Sequence, residues 1–389
     1  MAKSGIYVHI PFCKSRCLYC DFYSNGVALA DWNQFVSALL REASFFRRSE
    51  IFDHPYTLYL GGGTPSLLPA DEFKRLSEGL IDIFGSPEEF TIEVNPDDVT
   101  LNLATVWQDA GVSRISMGVQ SLNDAELRII GRRHDSNVAL QAFDILSSSF
   151  HNISLDLMFG LPGQSLESLR QTVERFINLG PHHISAYSLT FEERSALTRL
   201  RNAGKVSEAD EELSYAMFEM IVSLLTDAGF GQYEISNFAL PGFCSRHNSL
   251  YWQGKPYLGL GPGAHSYDGR RTRRFNNPDI NAYIKALSPI SVSDCTKGNT
   301  EAVECLPPCS EELLTDDELS EEMILTRLRC ADGLNLAEFR QKFGELKCSR
   351  LINQAQKYVD SRHLIITADT IRLTSRGFFI SDEIISSLF

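Results

Sequence analysis

Short runs rich in β-branched and aromatic residues recur along the chain, at 6–10, 57–60, 90–94, 114–119, 153–159 and 183–189. Runs of this length and composition read as buried strands. Between them lie segments with apolar residues at helical spacing, at 32–46, 71–84, 104–110, 137–146, 166–179 and 208–228,. Strands and helices alternating six times predict an α/β fold on a parallel sheet. Right-handed crossovers would curl that sheet into a partial (β/α)6 TIM-like barrel. Beyond Leu287 the periodicity stops, and residues 289–315, rich in Ser, Thr, Pro and Cys, read as a linker or insertion,. Helical spacing returns over 316–328, 336–343 and 349–361, and a hairpin follows at 364–367 and 370–373. That order predicts a small α+β winged-helix-like domain. The expected organisation is a barrel with its extension over 1–288, a linker over 289–315 and the C-terminal domain over 316–389.

Polar and glycine-rich features fall where the predicted strands end. Cys13, Cys17 and Cys20 follow the first strand, Gly61-Gly62-Gly63-Thr64-Pro65 the second, and Glu93-Val94-Asn95-Pro96 closes the third. Gln120 ends the fourth, and Asp156 lies within the fifth, followed by Gly160-Leu161-Pro162-Gly163-Gln164. Parallel barrel strands share one C-terminal rim, and sites are built there. Taken singly, a GGGTP run is a plain turn and a carboxylate at a strand end is a cap or ion-pair member. Their order along one rim is what joins them.

The totals narrow the function. A chain of 389 residues has room for one barrel-sized domain and a smaller one,. A net charge of −14 disfavours nucleic acid as a partner, because phosphate contacts need a basic footprint,. The basic cluster Arg270-Arg271-Thr272-Arg273-Arg274 reads as a solvated loop, or as a grip on the carboxylates of an anionic ligand,. No stretch reaches the roughly 18–20 apolar residues of a membrane span, and no apolar leader precedes the first strand. The expected location is the cytoplasm.

Nine cysteines, three of them between positions 13 and 20, point to metal binding rather than a disulfide framework,. Cys13-x-x-x-Cys17-x-x-Cys20 sets three soft thiolates on one short loop, close enough to ligate three corners of a [4Fe-4S] cluster and leave the fourth iron open. The alternative from spacing alone is a zinc site completed by His9 or a distant Cys, in a barrel without redox chemistry. Cys295, Cys305 and Cys309 read as surface thiols of a variable loop, with a second metal site as the alternative. His247-Asn248-Ser249-Leu250-Tyr251-Trp252 also stands out. Imidazole is a standard axial ligand of heme iron, and Tyr and Trp offer flat apolar surface. Equally, His247 and Asn248 would satisfy backbone groups while Tyr251 and Trp252 fill a core. Cys244 is a competing soft ligand.

The segment Tyr7-Val8-His9-Ile10-Pro11-Phe12-Cys13 with Cys17-Leu18-Tyr19-Cys20-Asp21-Phe22 resembles the radical S-adenosylmethionine superfamily. Gly61–Ser66, Glu93–Pro96, Arg114–Ser121, Asp156–Gln164 and Gly261–Tyr267 resemble the oxygen-independent coproporphyrinogen III oxidase family, over most of residues 5–285. The resemblance implies a barrel of the radical-SAM type, with S-adenosylmethionine chelated by the open iron and cleaved by one electron to a 5′-deoxyadenosyl radical. It implies that Tyr7 and Tyr19 line the site and that Gly62, Gly63 and Thr64 meet the methionine end. Glu93, Gln120, Arg132 and Asp156 would bind the cofactor's polar groups.

Two branches of the family differ in task. The oxidase, which decarboxylates coproporphyrinogen III to protoporphyrinogen IX, resembles Cys-x-x-x-Cys-x-x-Cys-x-Cys. Here Phe22 stands in the last position, and the first strand opens by Ile6 where the oxidase carries an extension. The heme chaperone (HemW-like) branch is marked by His-Asn-x-x-Tyr-Trp. That resemblance implies heme on His247, Asn248, Tyr251 and Trp252. It also implies transfer to a heme-acceptor protein, soluble or membrane-associated.

Overall fold

The computed structural model describes residues 3–47, 49–52, 54–288 and 306–389. Six strands stand at the predicted places: β1 Gly5–Ile10, β2 Thr57–Gly62, β3 Glu89–Val94, β4 Arg114–Gln120, β5 Ile153–Phe159 and β6 His183–Ser188. They lie side by side in chain order and all run parallel.

Alternation along these strands builds two layers, because successive side chains leave a strand on opposite faces. Ile6, Val8, Ile10, Leu58, Leu60, Ile92, Ile115, Met117, Leu155 and Leu157 join Phe35 and Leu39 of Trp32–Phe45, Phe73 and Leu76 of Ala70–Phe84, and Val173 and Phe176 of Leu166–Leu179 in one core. Burying each such side chain contributes roughly 1.5–3 kcal/mol. The intervening residues are polar and meet one another inside the barrel. The Tyr59 hydroxyl donates to Glu93 at 2.8 Å, Ser116 to Asp156 at 3.4 Å, and Ser154 lies 2.7 Å from His183 Nδ1. Barrel interiors are usually filled by branched apolar side chains. This lumen is polar from end to end.

Among the described residues the sheet grows to twelve strands. Tyr257–Leu260 joins β1 in parallel as a seventh barrel strand, and His265–Tyr267, Thr272–Asn276 and Cys309–Leu313 continue it antiparallel. Residues 309–313 thus form an edge strand within the segment read as a linker. In the ladder Glu312 lies opposite Arg273 and Glu311 opposite Arg274, and the strand is largely exposed, so no apolar alternation marks it. Cys295 and Cys305 lie outside the described residues.

The basic run at 270–274 is no solvated loop. Arg274 is buried 3.4 Å from Glu42, while Arg271 and Arg273 pair with Asp316 and Glu322 on the first C-terminal helix. That helix, Asp316–Leu328, with Leu336–Phe343 and Glu345–Asp360, packs on a small sheet ordered Leu334–Asn335, Thr370–Leu373, Leu364–Ile366, the winged-helix arrangement. Its core residues Leu328, Phe339, Leu351 and Ile371 are continuous with those of the barrel.

Candidate functional site

The loop after β1 carries Cys13, Cys17 and Cys20, all free thiols. Phe12–Cys13 pairs in parallel with Asn25–Gly26, folding the loop back over the rim. Lys14 pairs with Asp98 at 2.5 Å, and the Leu18 N–H donates to the Ile130 carbonyl at 3.0 Å. Leu18 and Tyr19 pack on Ile130, Met158, Leu161, Leu189 and Leu197. So anchored, the three thiols line a cleft of about 760 Å³, counting its open mouth. The same cleft is lined by Tyr19, Gly62, Gly63, Thr64, Glu93, Gln120, Arg132 and Asp156. Tyr7, expected among them, lies below in the lumen. Its hydroxyl is 3.1 Å from His9 Nδ1, and its ring stacks on Tyr59 at 6.0 Å.

Close approach explains the glycines. Gly62 has φ 108°, and a Cβ there would fall 2.4 Å from His9 Nδ1; one on Gly63 would fall 2.7 Å from the Phe12 carbonyl oxygen. The chain at and just after the end of β2 therefore presses directly on β1 and on the start of the cysteine loop,.

A hydrogen-bonded chain ties the polar wall to the thiols. Arg132 donates to Asn95 at 2.8 Å, to the Gly118 carbonyl, and to Cys17 Sγ at 3.5 Å. Asn95 donates to Thr64 at 3.2 Å, and Thr64 to Cys13 Sγ at 3.6 Å. Arg132 Nε is buried without a partner, an unspent donor in the wall of the cleft. Glu93 is raised to about 7 by burial and by the nearby charge of Asp156, and burial raises Asp156 to about 6,. Gln120 holds φ 72° beside a register shift in β4, backbone strain of the kind stored at binding sites,.

The donor set suits a cluster rather than one ion. Among the described residues no three His, Cys, Asp or Glu side chains are gathered closely enough to share a single metal. His9, the expected fourth zinc ligand, has Nδ1 on Tyr7 and Nε2 3.2 Å from the Tyr23 carbonyl. Three thiols around one cleft, apart from one another, fit a cubane that spans the gap. Burial lifts the Cys20 thiol above its usual range, so metal binding there must displace a proton,.

The sequence reading passed over Tyr59, Asn95, Arg114 and Ser116. A period-two signal marks three of them, since polar side chains recur at 57 and 59, 91 and 93, 114 and 116, 154 and 156, and 183 and 185. Asn95 carried no such signal.

His247, Asn248, Tyr251 and Trp252 do not join the cleft. They form the short helix Arg246–Trp252, which plugs the opposite end of the lumen. Glu89, the first residue of β3, accepts from the backbone N–H groups of Arg246 and His247, each at 3.1 Å, and Ser245 caps the helix through Asn248 N. His247 is 1% exposed. Its Nδ1 is 2.7 Å from the Thr57 hydroxyl and its Nε2 is 2.8 Å from the Tyr251 hydroxyl. Burial lowers His247 to about 3, so the ring is neutral, and neither nitrogen is free. In this arrangement His247 is packed in the floor of the lumen with both ring nitrogens hydrogen-bonded. Cys244 is exposed and lines neither the cleft nor this floor.

Comparison with known proteins gives the same outline. The Radical SAM superfamily family model matches residues 7–176, and the HemN C-terminal domain model matches residues 314–380. The chain is 33% identical to the heme chaperone HemW of Lactococcus lactis, covering 98% of each chain, and 32% identical to that of Bacillus subtilis, covering 97% of each. The solved structure of coproporphyrinogen III oxidase (HemN) from Escherichia coli matches in fold, with TM-score 0.80 and 21% identity over 100% of this chain and 90% of that one.

Proposed function

The chain belongs to the heme chaperone (HemW-like) branch of the oxygen-independent coproporphyrinogen III oxidase-like family, within the radical S-adenosylmethionine superfamily, and on that premise we propose that it is a cytoplasmic heme chaperone. It holds a [4Fe-4S] cluster on Cys13, Cys17 and Cys20, binds S-adenosylmethionine in the cleft, and passes heme to an acceptor protein. Among the described residues no helix is long and apolar enough to cross a membrane.

The convergence of three free thiols with Glu93, Asp156 and Arg132 in one cleft carries the cofactor half of this reading. Glu93 and Asp156 accept from the ammonium and ribose hydroxyls of S-adenosylmethionine, and Arg132 pairs with its carboxylate. A cluster held by Cys13, Cys17 and Cys20 would supply one-electron reduction of the sulfonium bound beside it. Phe22, 69% exposed on the cleft wall, stands where the oxidase has a further cysteine, which favours carriage over decarboxylation.

Hemin titration of the reconstituted protein, with and without cluster and S-adenosylmethionine, tests the reading through the Soret band. Saturable binding supports it, and its absence sinks it. Anaerobic turnover of coproporphyrinogen III to protoporphyrinogen IX at a catalytic rate would replace it with the oxidase.

A further inference from the structure

A second cavity lies at the far end of the barrel, where the helix Arg246–Trp252 faces the helices Asp316–Leu328 and Leu336–Phe343. It measures about 1210 Å³, counting its mouth, ample for a large planar ligand,. The barrel side supplies flat rings, with Tyr251 set edge-on to Tyr257 at 4.6 Å and Trp252 beside them. The Trp252 indole N–H is buried without a partner. The C-terminal domain supplies Met323, whose flexible thioether adapts to flat surfaces,.

Charge distinguishes this cavity from the rest of an acidic chain. Four cations line it, Lys255, Arg273, Arg327 and Lys342, against two carboxylates, Glu322 and Glu338, in a protein of net charge −14. Both carboxylates are already used, Glu322 by Arg273 and Glu338 by Arg327 at 3.6 Å. Lys255 and Lys342 are left with no ion-pair partner among the described residues. Lys255, and Lys342 whose ammonium lies 5.3 Å over the Phe343 ring, both lack a carboxylate partner among the described residues, and beside these rings they match a planar aromatic ligand bearing two carboxylates.

We propose that this interdomain pocket is the heme seat, with Tyr251, Trp252, Tyr257 and Met323 against the macrocycle and Lys255 and Lys342 on its two propionates. The assignment rests on the chaperone reading and adds to it a location and a mode of holding. His247 touches the pocket only through the Tyr251 hydroxyl, so heme is gripped by stacking and ion pairs rather than by imidazole. A grip without a strong iron ligand suits a protein that must release its cargo. It also gives the C-terminal domain a direct part in binding.

The test titrates full-length, cluster-reconstituted protein with hemin, with metal-free protoporphyrin IX, and with the dimethyl ester of that porphyrin, which lacks the carboxylates. Since Lys255 and Lys342 hold no native ion pair, the Lys255→Glu/Lys342→Glu double variant should fold as the wild type does. Matching far-ultraviolet circular dichroism and melting curves check this. Hemin and protoporphyrin IX should bind the variant roughly tenfold or more weakly, the worth of one charge-assisted contact, with the ester unaffected. If the wild type binds hemin saturably and the variant binds it equally well, the pocket is wrong and the chaperone reading stands. If hemin binding is lost in Cys17→Ala and kept in the double variant, heme sits in the cysteine cleft. No saturable binding by the wild type overturns the chaperone reading, and the pocket with it.

Discussion

The two ends of the barrel lumen are built from the same kind of strand residue and do opposite things. At the mouth, Glu93, Gln120, Arg132 and Asp156 line an open cleft, and Arg132 keeps a buried donor unspent. At the floor, Thr57, Glu89, His247 and Tyr251 satisfy one another. Roughly 15–20 Å of strand separates them, at about 3.3 Å per residue. They are nonetheless joined, because His247 stacks on Tyr59 at 4.9 Å and Tyr59 donates to Glu93 at 2.8 Å. Polar residues in a barrel are thus no mark of a ligand by themselves. What distinguishes the mouth is valence left over.

Substitutions at the two ends should separate cofactor binding from stability. The largest effect is expected for Cys17→Ala, which removes one of three cluster ligands. Anaerobic reconstitution should then give colourless protein by iron and sulfide analysis, whereas His247→Ala should reconstitute normally if it remains folded. Next comes His247→Ala itself. It strands the Thr57 and Tyr251 hydroxyls and leaves a cavity beside Tyr59, a loss of about 3 kcal/mol in urea unfolding. A loss below about 1 kcal/mol would mean that the floor is less tightly built than its hydrogen bonds indicate.

Glu93→Gln should act at the mouth alone, weakening S-adenosylmethionine about tenfold near pH 8 by equilibrium binding. In the wild type the affinity should fall with pH through the Glu93 value of about 7 and the Asp156 value of about 6, because protonation removes the charge that meets the ammonium. The variant should keep only the lower step. The sign for stability is opposite. Both carboxylates are raised above their unfolded values, so the fold gains from their protonated forms, and that gain is lost as pH rises through about 6 and 7,. The smallest effect is expected for Gln120→Gly. Relief of φ 72° should stabilise the protein by up to about 1 kcal/mol in thermal unfolding while weakening the cofactor, since strain and binding share that residue,.

Much of this was legible along the chain. The six strands lie within a residue or two of their predicted spans, because long apolar periodicity survives folding almost unchanged. Most of the residues brought to the cleft were legible as well, since they follow a parallel strand or lie near its C-terminal end, and such ends share a rim. Asp156 reaches it from the middle of its strand. Tyr7 is placed by the fold in the lumen below the cleft lining. Its hydroxyl lies against His9 and its ring against Tyr59, contacts that only the folded barrel creates. The strand Cys309–Leu313 carries no sequence signal because it is an exposed edge strand of polar residues without apolar alternation.

The sequence by itself determined the barrel, the order of its rim features and the three-thiol loop, all properties of local spacing. Tertiary structure alone decided which polar residues are already paired. His247 has the chemistry of a heme ligand in any sequence, but Thr57, 190 positions away, and Tyr251 occupy its two nitrogens. The Lys255 and Lys342 side chains look like ordinary surface cations until two domains bring them to one pocket. Residue type fixes what a group can bind, while only the fold fixes whether that capacity is still free.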